Sequence, residues 1–313
     1  MANTYLTKTF ASAGTRTKYT ISVWVKKSKL SGDQNIISAG TGANNSFGLR
    51  FNSDNTLNWN SYSGSYDYFL NTTRKFTDPS AWYHIVCAFD STQSTASNRM
   101  KIYINGVQET SFATETYPGS YSDYAFNNIL HEIGQDVGAG SRFFDGSMSH
   151  FYGIDGTAYA ASTFGSTDST TGQWQINTSP TVTMGTNGFL ILKDGNTITD
   201  SSSNSNNWSL GGGTLTKTQD CPSNVFPTWN PAFMPFNIGN GRADNGGTTI
   251  GSPGGDSSSL ASMGARSGKY YWEIKVQNAA NTRSCGIVRS DIQGQSTTTN
   301  IYPGGNGNAS NFT

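Results

Sequence analysis

The stretch Met100-Lys101-Ile102-Tyr103-Ile104, followed at once by Asn105-Gly106, constrains this chain more than any other local feature. Its alternation suits a strand with one covered face, and Asn-Gly tolerates the positive φ angles of a type I′ turn. A hairpin is predicted, returning through residues 107–112. Residues 20–25 alternate in the same way, with Ile21, Val23 and Val25 on one face and Thr20, Ser22 and Trp24 on the other, and end at Lys26-Lys27. That pattern predicts a half-buried antiparallel strand. Residues 46–51 and 56–59 flank Asn52-Ser53-Asp54-Asn55, a cluster of turn formers, and so predict a second hairpin. Residues 82–89 are apolar on both faces, as in a central strand covered on each side. Residues 129–133, 143–144 and 147–154 extend the series, with Asp145-Gly146 as a turn.

Strong helix formers are thin, and Ser, Thr, Asn, Gly and Tyr crowd the chain, so an all-β fold is expected. Residues 157–164, followed by Gly165, are the one stretch suited to a turn or two of helix. An aromatic content of 12% supports a packed core and argues against disorder. The 20 basic and 20 acidic side chains cancel. This balance argues against nucleic acid or an anionic membrane as the partner, since both select an excess of Lys and Arg. No apolar window approaches a membrane span, and residues 1–10 lack the pattern of a signal peptide, so a soluble, unexported chain is expected. Cys87, Cys221 and Cys285 are too few and too scattered for a disulfide framework or a zinc site. Cys87 and Cys285 read as buried thiols.

Three segments are expected. Residues 1–165 form the strand-rich domain. Residues 166–235 are rich in Ser, Thr, Asn and Gly, with one apolar strand at 188–193, and the stretch 200–213 has the texture of a linker. Trp174, Trp208 and Trp229 nevertheless predict an ordered arm, because large aromatics are costly to leave in water. Pro222, Pro227, Pro231 and Pro235 mark its boundary. In 236–313, residues 267–276 and 284–288 predict two strands of a new sheet that this segment leaves incomplete.

Catalytic chemistry is sparse in this pattern. His84, His131 and His150 each sit in a strand pattern without a nucleophile motif and read as structural. Glu109, Glu115, Glu132 and Glu273 form no acidic cluster of the kind glycoside hydrolysis uses. Asp33, Asp90, Asp136 and Asp145 are conceivable oxygen ligands but lie where turns favour Asp. No catalytic residue, metal ligand or cofactor is expected, and no enzyme. The loop-rich cluster Trp59, Tyr62, Tyr66, Tyr68 and Phe69 is the more informative feature. Rigid aromatics among small polar residues make contact surfaces, and aromatic faces stack on sugars. Trp59, Tyr62, Tyr66 and Tyr68 are therefore the candidate glycan-stacking residues, although such aromatics also pack the loops of β-sandwiches. Tyr117, Tyr121, Tyr124 and Phe126 form a second, weaker set.

The order of residues 21–26, 82–86, 101–106 and 144–149 resembles the laminin-G-like, concanavalin A-like lectin/glucanase sandwich. With Asp155-Gly156-Thr157-Ala158, Thr171-Gly172-Gln173-Trp174, residues 185–189, 204–208 and 221–226, the series resembles virion structural proteins of tailed, marine-type bacteriophages. Ser267-Gly268-Lys269-Tyr270-Tyr271-Trp272-Glu273 with Cys285-Gly286-Ile287 resembles the opening of a SPRY-like domain. The resemblance implies a concanavalin A-like antiparallel jelly roll, an extended arm and a partial second β-sandwich. It further implies a virion protein made in the host cytoplasm, as a tail fibre or tail-associated protein whose partners are other virion proteins and a bacterial surface glycan. A homo-oligomer, commonly a trimer in fibres, and in some members calcium, belong to the same implication, with no calcium ligands assigned. The alternatives are a capsid fibre, decoration or cement protein, and a polysaccharide depolymerase. The acidic strand motif of the glucanase branch has no counterpart here.

Overall fold

In this computed structural model the alternating segments become β1 (Tyr5–Thr9), β2 (Lys18–Lys27), β3 (Gln34–Gly42), β4 (Asn45–Phe51), β5 (Thr56–Tyr62) and β6 (Tyr66–Lys75). They continue with β7 (Tyr83–Asp90), β8 (Met100–Ile104), β9 (Val107–Gln108), β10 (Phe112–Thr116), β11 (Leu130–Ile133) and β12 (Gly146–Asp155). The short strands β13 (Gly165–Thr167), β14 (Trp174–Ile176), β15 (Phe189–Ile191) and β16 (Ser209–Gly212) follow. The structure describes residues 3–193 and 197–230, and beyond them 236–237, 242–244, 247–251, 257–264, 267–276, 286–288 and 309–311. The chain divides into two units, Met1–Phe226 and Pro227–Thr313. Among the described residues no helix is long and apolar enough to cross a membrane.

The first unit is a sandwich of two antiparallel sheets. One has the order β10-β6-β5-β4-β3-β11-β1-β16, the other β15-β12-β2-β7-β8-β9. Ile21, Val23, Val25, Ile85, Cys87, Phe89 and Ile102 of the smaller sheet share one core with Ile37, Phe47, Leu49, Leu57, Trp59 and Leu70 of the larger. Removing such apolar area from water drives the layers together. Burial pushes the Cys87 thiol well above its usual range, which leaves it an inert packing group.

Two of the predicted turns form where expected. Asn105 (φ 47°) and Gly106 (φ 84°) join β8 to β9, and Asn55 (φ 67°) closes the turn between β4 and β5. Strand β9 is only two residues long, however, because the chain then crosses to the other sheet, where β10 pairs with β6. Phe143 and Phe144 are not in a strand, and Asp145-Gly146 is no turn, since β12 begins at Gly146. The predicted helical stretch reduces to one 3-10 turn, Ala161–Thr163.

Strand β2 is not half-buried. From Tyr19 to Lys27 every residue is buried, because residues 157–191 cover the outer face of its sheet. A second cluster of Val86, Tyr152, Ile154, Ala161, Phe164 and Leu190 lies there, with Tyr159 and Trp174 packed against it. Thr20 Oγ1 donates to Thr157 O at 2.8 Å and accepts from Tyr159 N–H at 2.7 Å. The arm also supplies edge strands: β15 pairs with β12, and β16 pairs with β1. Trp208 is buried in the main core, edge-on to Phe189 at 5.0 Å. Gly153 permits this crossing, since a Cβ there would meet the Phe189 ring at 2.3 Å.

The second unit, taken by itself, contains short ladders. β17 (Phe236–Asn237) pairs with β20 (Ser257–Ser258), β18 (Arg242–Asp244) with β19 (Thr249–Gly251), and β21 (Gly286–Val288) with β22 (Ala309–Asn311). Trp229 belongs to this unit and forms a bridge with Ala261. Residues 267–276, predicted as a strand, carry no strand, and Tyr270, Tyr271 and Trp272 are exposed. Alternation alone does not make a strand without a ladder partner. Ser284 and Cys285 lie outside the described residues.

Candidate functional site

Each strand of the eight-stranded sheet turns alternate residues away from the core, and register aligns them into rows. One row runs Thr7, Glu132, Ser38, Gly48, Asn60, Phe69 and Thr116. Beside it lie Asn35, Arg50, Asn58, Asn71 and Thr114 on one side, and Gly40, Ser46, Tyr62 and Tyr66 on the other. Neighbouring positions in a row are about 5 Å apart. Gly48 leaves the centre of this face without a side chain, where a Cβ would sit 3.2 Å from Asn60 Oδ1.

Aromatic rings stand at one end. Tyr66 is 49% exposed and lies edge-on to Phe69 at 4.6 Å and to Tyr62 at 5.2 Å. The bulge between Ser61 and Tyr62 breaks the alternation, so that Tyr66 meets Phe69 instead of following Tyr68 inward. Beside the rings are amides. Both polar atoms of Asn58, together with Asn35 Oδ1, Gln135 Oε1 and Glu132 Oε2, are enclosed and have no hydrogen-bond partner among the described residues. Asn35 Nδ2 and Ser38 Oγ both donate to Gln135 O, at 2.6 and 3.0 Å, which ties the loop after β11 to this face. Burial, and then the Asp136 charge, raise the Glu132 carboxyl above the usual range. Such a face offers flat apolar rings next to donors and acceptors, the combination that a polyol with apolar ring faces requires.

The four predicted stacking residues do not share this surface. Tyr62 and Tyr66 lie on it. Trp59 and Tyr68 are fully buried, because they fall on the inward face of β5 and β6, and neither offers a ring to a ligand. Tyr68 instead donates its hydroxyl to Asp123 Oδ2 at 2.5 Å, as does Tyr19. Burial pushes Asp123 up to about 6, although both hydroxyls pull it down. This buried knot holds the 117–128 loop, where Tyr117, Tyr121 and Tyr124 pack on the core and Phe126 is part of it. The second aromatic set is therefore packing. Sequence reasoning missed Asn35, Asn58 and Asn60; the signal was the polar half of the alternation Leu57-Asn58-Trp59-Asn60.

The histidines are buried. His84 Nδ1 accepts from Trp174 Nε1 at 2.9 Å, so Nε2 carries the proton and donates to Ser22 Oγ at 2.9 Å. Ser22 and His84 thus have the spacing of a nucleophile and base but the wrong tautomer for that role. Burial takes His84 down to about 3. His131 accepts from Phe126 N–H through Nε2 at 2.9 Å and donates to Ile129 O, and burial lowers it to about 4.

Three of the four Asp residues named as conceivable oxygen ligands are held by other side chains. Arg142 pairs with both Asp136 (2.5 Å) and Asp33 (3.4 Å), and Asp90 is held by Lys18 at 3.3 Å and by Thr92 and Gln93. Among the described residues no group of three or more His, Cys, Asp or Glu side chains is placed to hold a metal ion.

Residues 2–157 match a family model described as the concanavalin A-like lectin/glucanases superfamily. Among solved structures, the chain is similar to the native heptameric SAP-like pentraxin of Limulus polyphemus, at 18% identity over 50% of this chain and 71% of that one, with a TM-score of 0.36. It is also similar to the CBM40 of Ruminococcus gnavus IT-sialidase, at 15% identity over 46% of this chain and 86% of that one, TM-score 0.34. For domains LG4-5 of the mouse laminin alpha1 chain the identity is 12%, the coverage 49% and 40%, and the TM-score 0.36. Comparison with curated proteins gives no match. Two antiparallel sheets around one core and the family match over residues 2–157 make the fold of the first unit a concanavalin A-like, laminin-G-like lectin jelly roll.

Proposed function

We propose that this chain is a non-enzymatic glycan-binding protein of a tailed bacteriophage particle, carried as a tail fibre or tail-associated protein and used for attachment to the host surface. The observation that carries the binding part is the outer face of the eight-stranded sheet. There the exposed Tyr66, flanked by Tyr62 and Phe69, stands beside the Asn60 position. Rigid aromatic rings next to amide groups suit the apolar faces and hydroxyls of a sugar. The lectin fold supports the same reading. The particle assignment rests on the ordered residue strings from Ile21 to Phe226 and on the SPRY-like string that begins at Ser267. Virion partners, a homo-oligomer and a virion location belong to this proposal.

The test is a glycan array of host surface polysaccharides with the full chain, repeated with Tyr66→Ala and Asn60→Ala. Loss of a central aromatic anchor is expected to weaken binding on the order of tenfold or more. Binding that survives both substitutions unchanged refutes the assigned face. No binding anywhere on the array, with the protein located on the capsid by cryo-EM, replaces attachment with decoration or cementing. Release of reducing sugar from capsule, abolished by Glu132→Gln, would replace it with a depolymerase.

A further inference from the structure

We propose that the outer face of the eight-stranded sheet takes the free end of a polysaccharide chain, seated against a ridge that residues 135–139 raise over β3, and takes no stretch of chain interior. This inference rests on the glycan-binding reading of that face and names the part of the polymer that it recognises.

The ridge is fixed to the face from below. Ser38 stands in the outward row of β3, where its Oγ donates to Gln135 O at 3.0 Å and accepts from Val137 N–H at 2.9 Å. Asn35 Nδ2 donates to the same Gln135 O at 2.6 Å. The backbone at 135–137 therefore lies on the outer face and covers Ser38, which is buried. Farther along, the ridge meets the connection between β3 and β4, since a Cβ on Gly138 would come within 2.9 Å of Ala43 Cα. It thus follows the length of β3. Bonds within the ridge hold its shape: Asp136 Oδ1 accepts from Gly138 N–H at 2.9 Å, Asp136 O accepts from Gly140 N–H at 2.8 Å, and Arg142 Nη1 donates to Asp136 Oδ2 at 2.5 Å. A segment pinned in this way keeps its place when a ligand presses against it.

On its other side the face runs out to the edge of the sheet. β10 is the edge strand, and its Thr114 and Thr116 are exposed. Between ridge and edge, the row Gly48, Asn60, Phe69 and Thr116 crosses β4, β5, β6 and β10. At the usual strand spacing this shelf is about 14 Å wide, enough for about three pyranose units. Gly48, on the strand next to the ridge, has no side chain to fill the inner corner, and the Tyr66 and Phe69 rings stand on β6, nearer the open side. A chain that crosses the shelf stops at the ridge, and its remaining units leave past β10. Specificity for a terminus then comes from what the ridge shuts out.

The test uses the full chain and the bacterial O-polysaccharide with the strongest signal on the glycan array, added as a soluble competitor both intact and after partial acid hydrolysis. Cutting the chains to about a tenth of their length multiplies their ends about tenfold, so inhibition per gram of sugar is expected to rise about tenfold. A site for chain interior gives no rise while the fragments still span the shelf. Ser38→Ala removes two of the three bonds that tie the ridge to the face, and is expected to reduce that rise while binding still depends on Tyr66. Equal inhibition by intact and cut polymer, with binding lost in Tyr66→Ala, overturns the end-on site and leaves the glycan face standing. A full rise in Ser38→Ala also overturns it, because the ridge would not be the cause. Binding that Tyr66→Ala leaves unchanged, or no binding to any polysaccharide on the array, removes the glycan face itself and this proposal with it.

Discussion

The buried ion pair between Lys26 and Asp220 offers a direct test of how the arm is held. Both side chains are almost fully enclosed, at 1% and 3% exposure, and their charged atoms are 2.9 Å apart. At an effective dielectric constant of about 20, two unit charges at that separation attract by about 6 kcal/mol. Asp220→Asn keeps the volume and the acceptor for Phe226 N–H but leaves the Lys26 ammonium buried without its counter-charge. Relaxation and water entry recover part of the loss, so a cost of about 3–5 kcal/mol is expected. Lys26→Met should cost a similar amount, while the double variant should lose well under the sum of the two, since a matched apolar and neutral pair carries no buried charge. Urea unfolding of the full chain, followed by a probe in the first unit, measures all three. Limited proteolysis gives a second readout, because an undocked arm should be cut near residues 214–226 in the Asp220→Asn chain before the sandwich unfolds. A loss below about 1 kcal/mol for Asp220→Asn, with no new cleavage, would refute the packing of the arm onto β2.

Two further outcomes follow from burial and backbone geometry. Burial holds His84 at about 3 and His131 at about 4, so folding favours the neutral rings; that stabilisation is complete above the free value of about 6.5 and is lost as pH falls through the folded values. Asp123, pushed up to about 6, has the opposite sign, contributing below its free value and losing that contribution as pH rises through 6. The histidines outweigh it, and the chain is expected to be about 2 kcal/mol less stable at pH 5 than at pH 7; equal or greater stability at pH 5 in urea titrations would contradict the buried placement of the rings. Gly106→Ala is expected to destabilise by more than about 1 kcal/mol, because φ is +84° and the new Cβ would meet the Trp174 ring at 2.4 Å. An unchanged melting curve for that variant would show that the arm does not cross the hairpin at Trp174.

Much of the first unit was legible locally. Residues 46–51 and 56–59 became β4 and β5, the apolar run from 82 became β7 at the middle of its sheet, and Asn105-Gly106 turned as its φ preferences demand. Trp174 and Trp208 also announced that the arm is ordered, since a buried indole needs a surface to pack against. The candidate site was only half legible. Tyr62 and Tyr66 lie on the outer face, whereas Trp59 and Tyr68 belong to the core. Period-two alternation says which residues share a face, but it does not say which face is inside, and one bulge at Ser61 reverses the count.

Local chemistry in the sequence by itself determined where strands and turns lie and that the chain is all-β. Tertiary structure decided what covers each face, because coverage depends on segments far apart along the chain. Lys26 reads as the solvated end of a strand until Asp220, 194 positions later, closes over it. His84 is ambiguous until Trp174, 90 positions away, donates to it and sets its tautomer. The amide row at Asn58 and Asn60 and the edge strands supplied by the arm arise in the same way. Each needs two or more elements brought together by burial of apolar surface, which is non-directional and leaves no local signature in the order of residues.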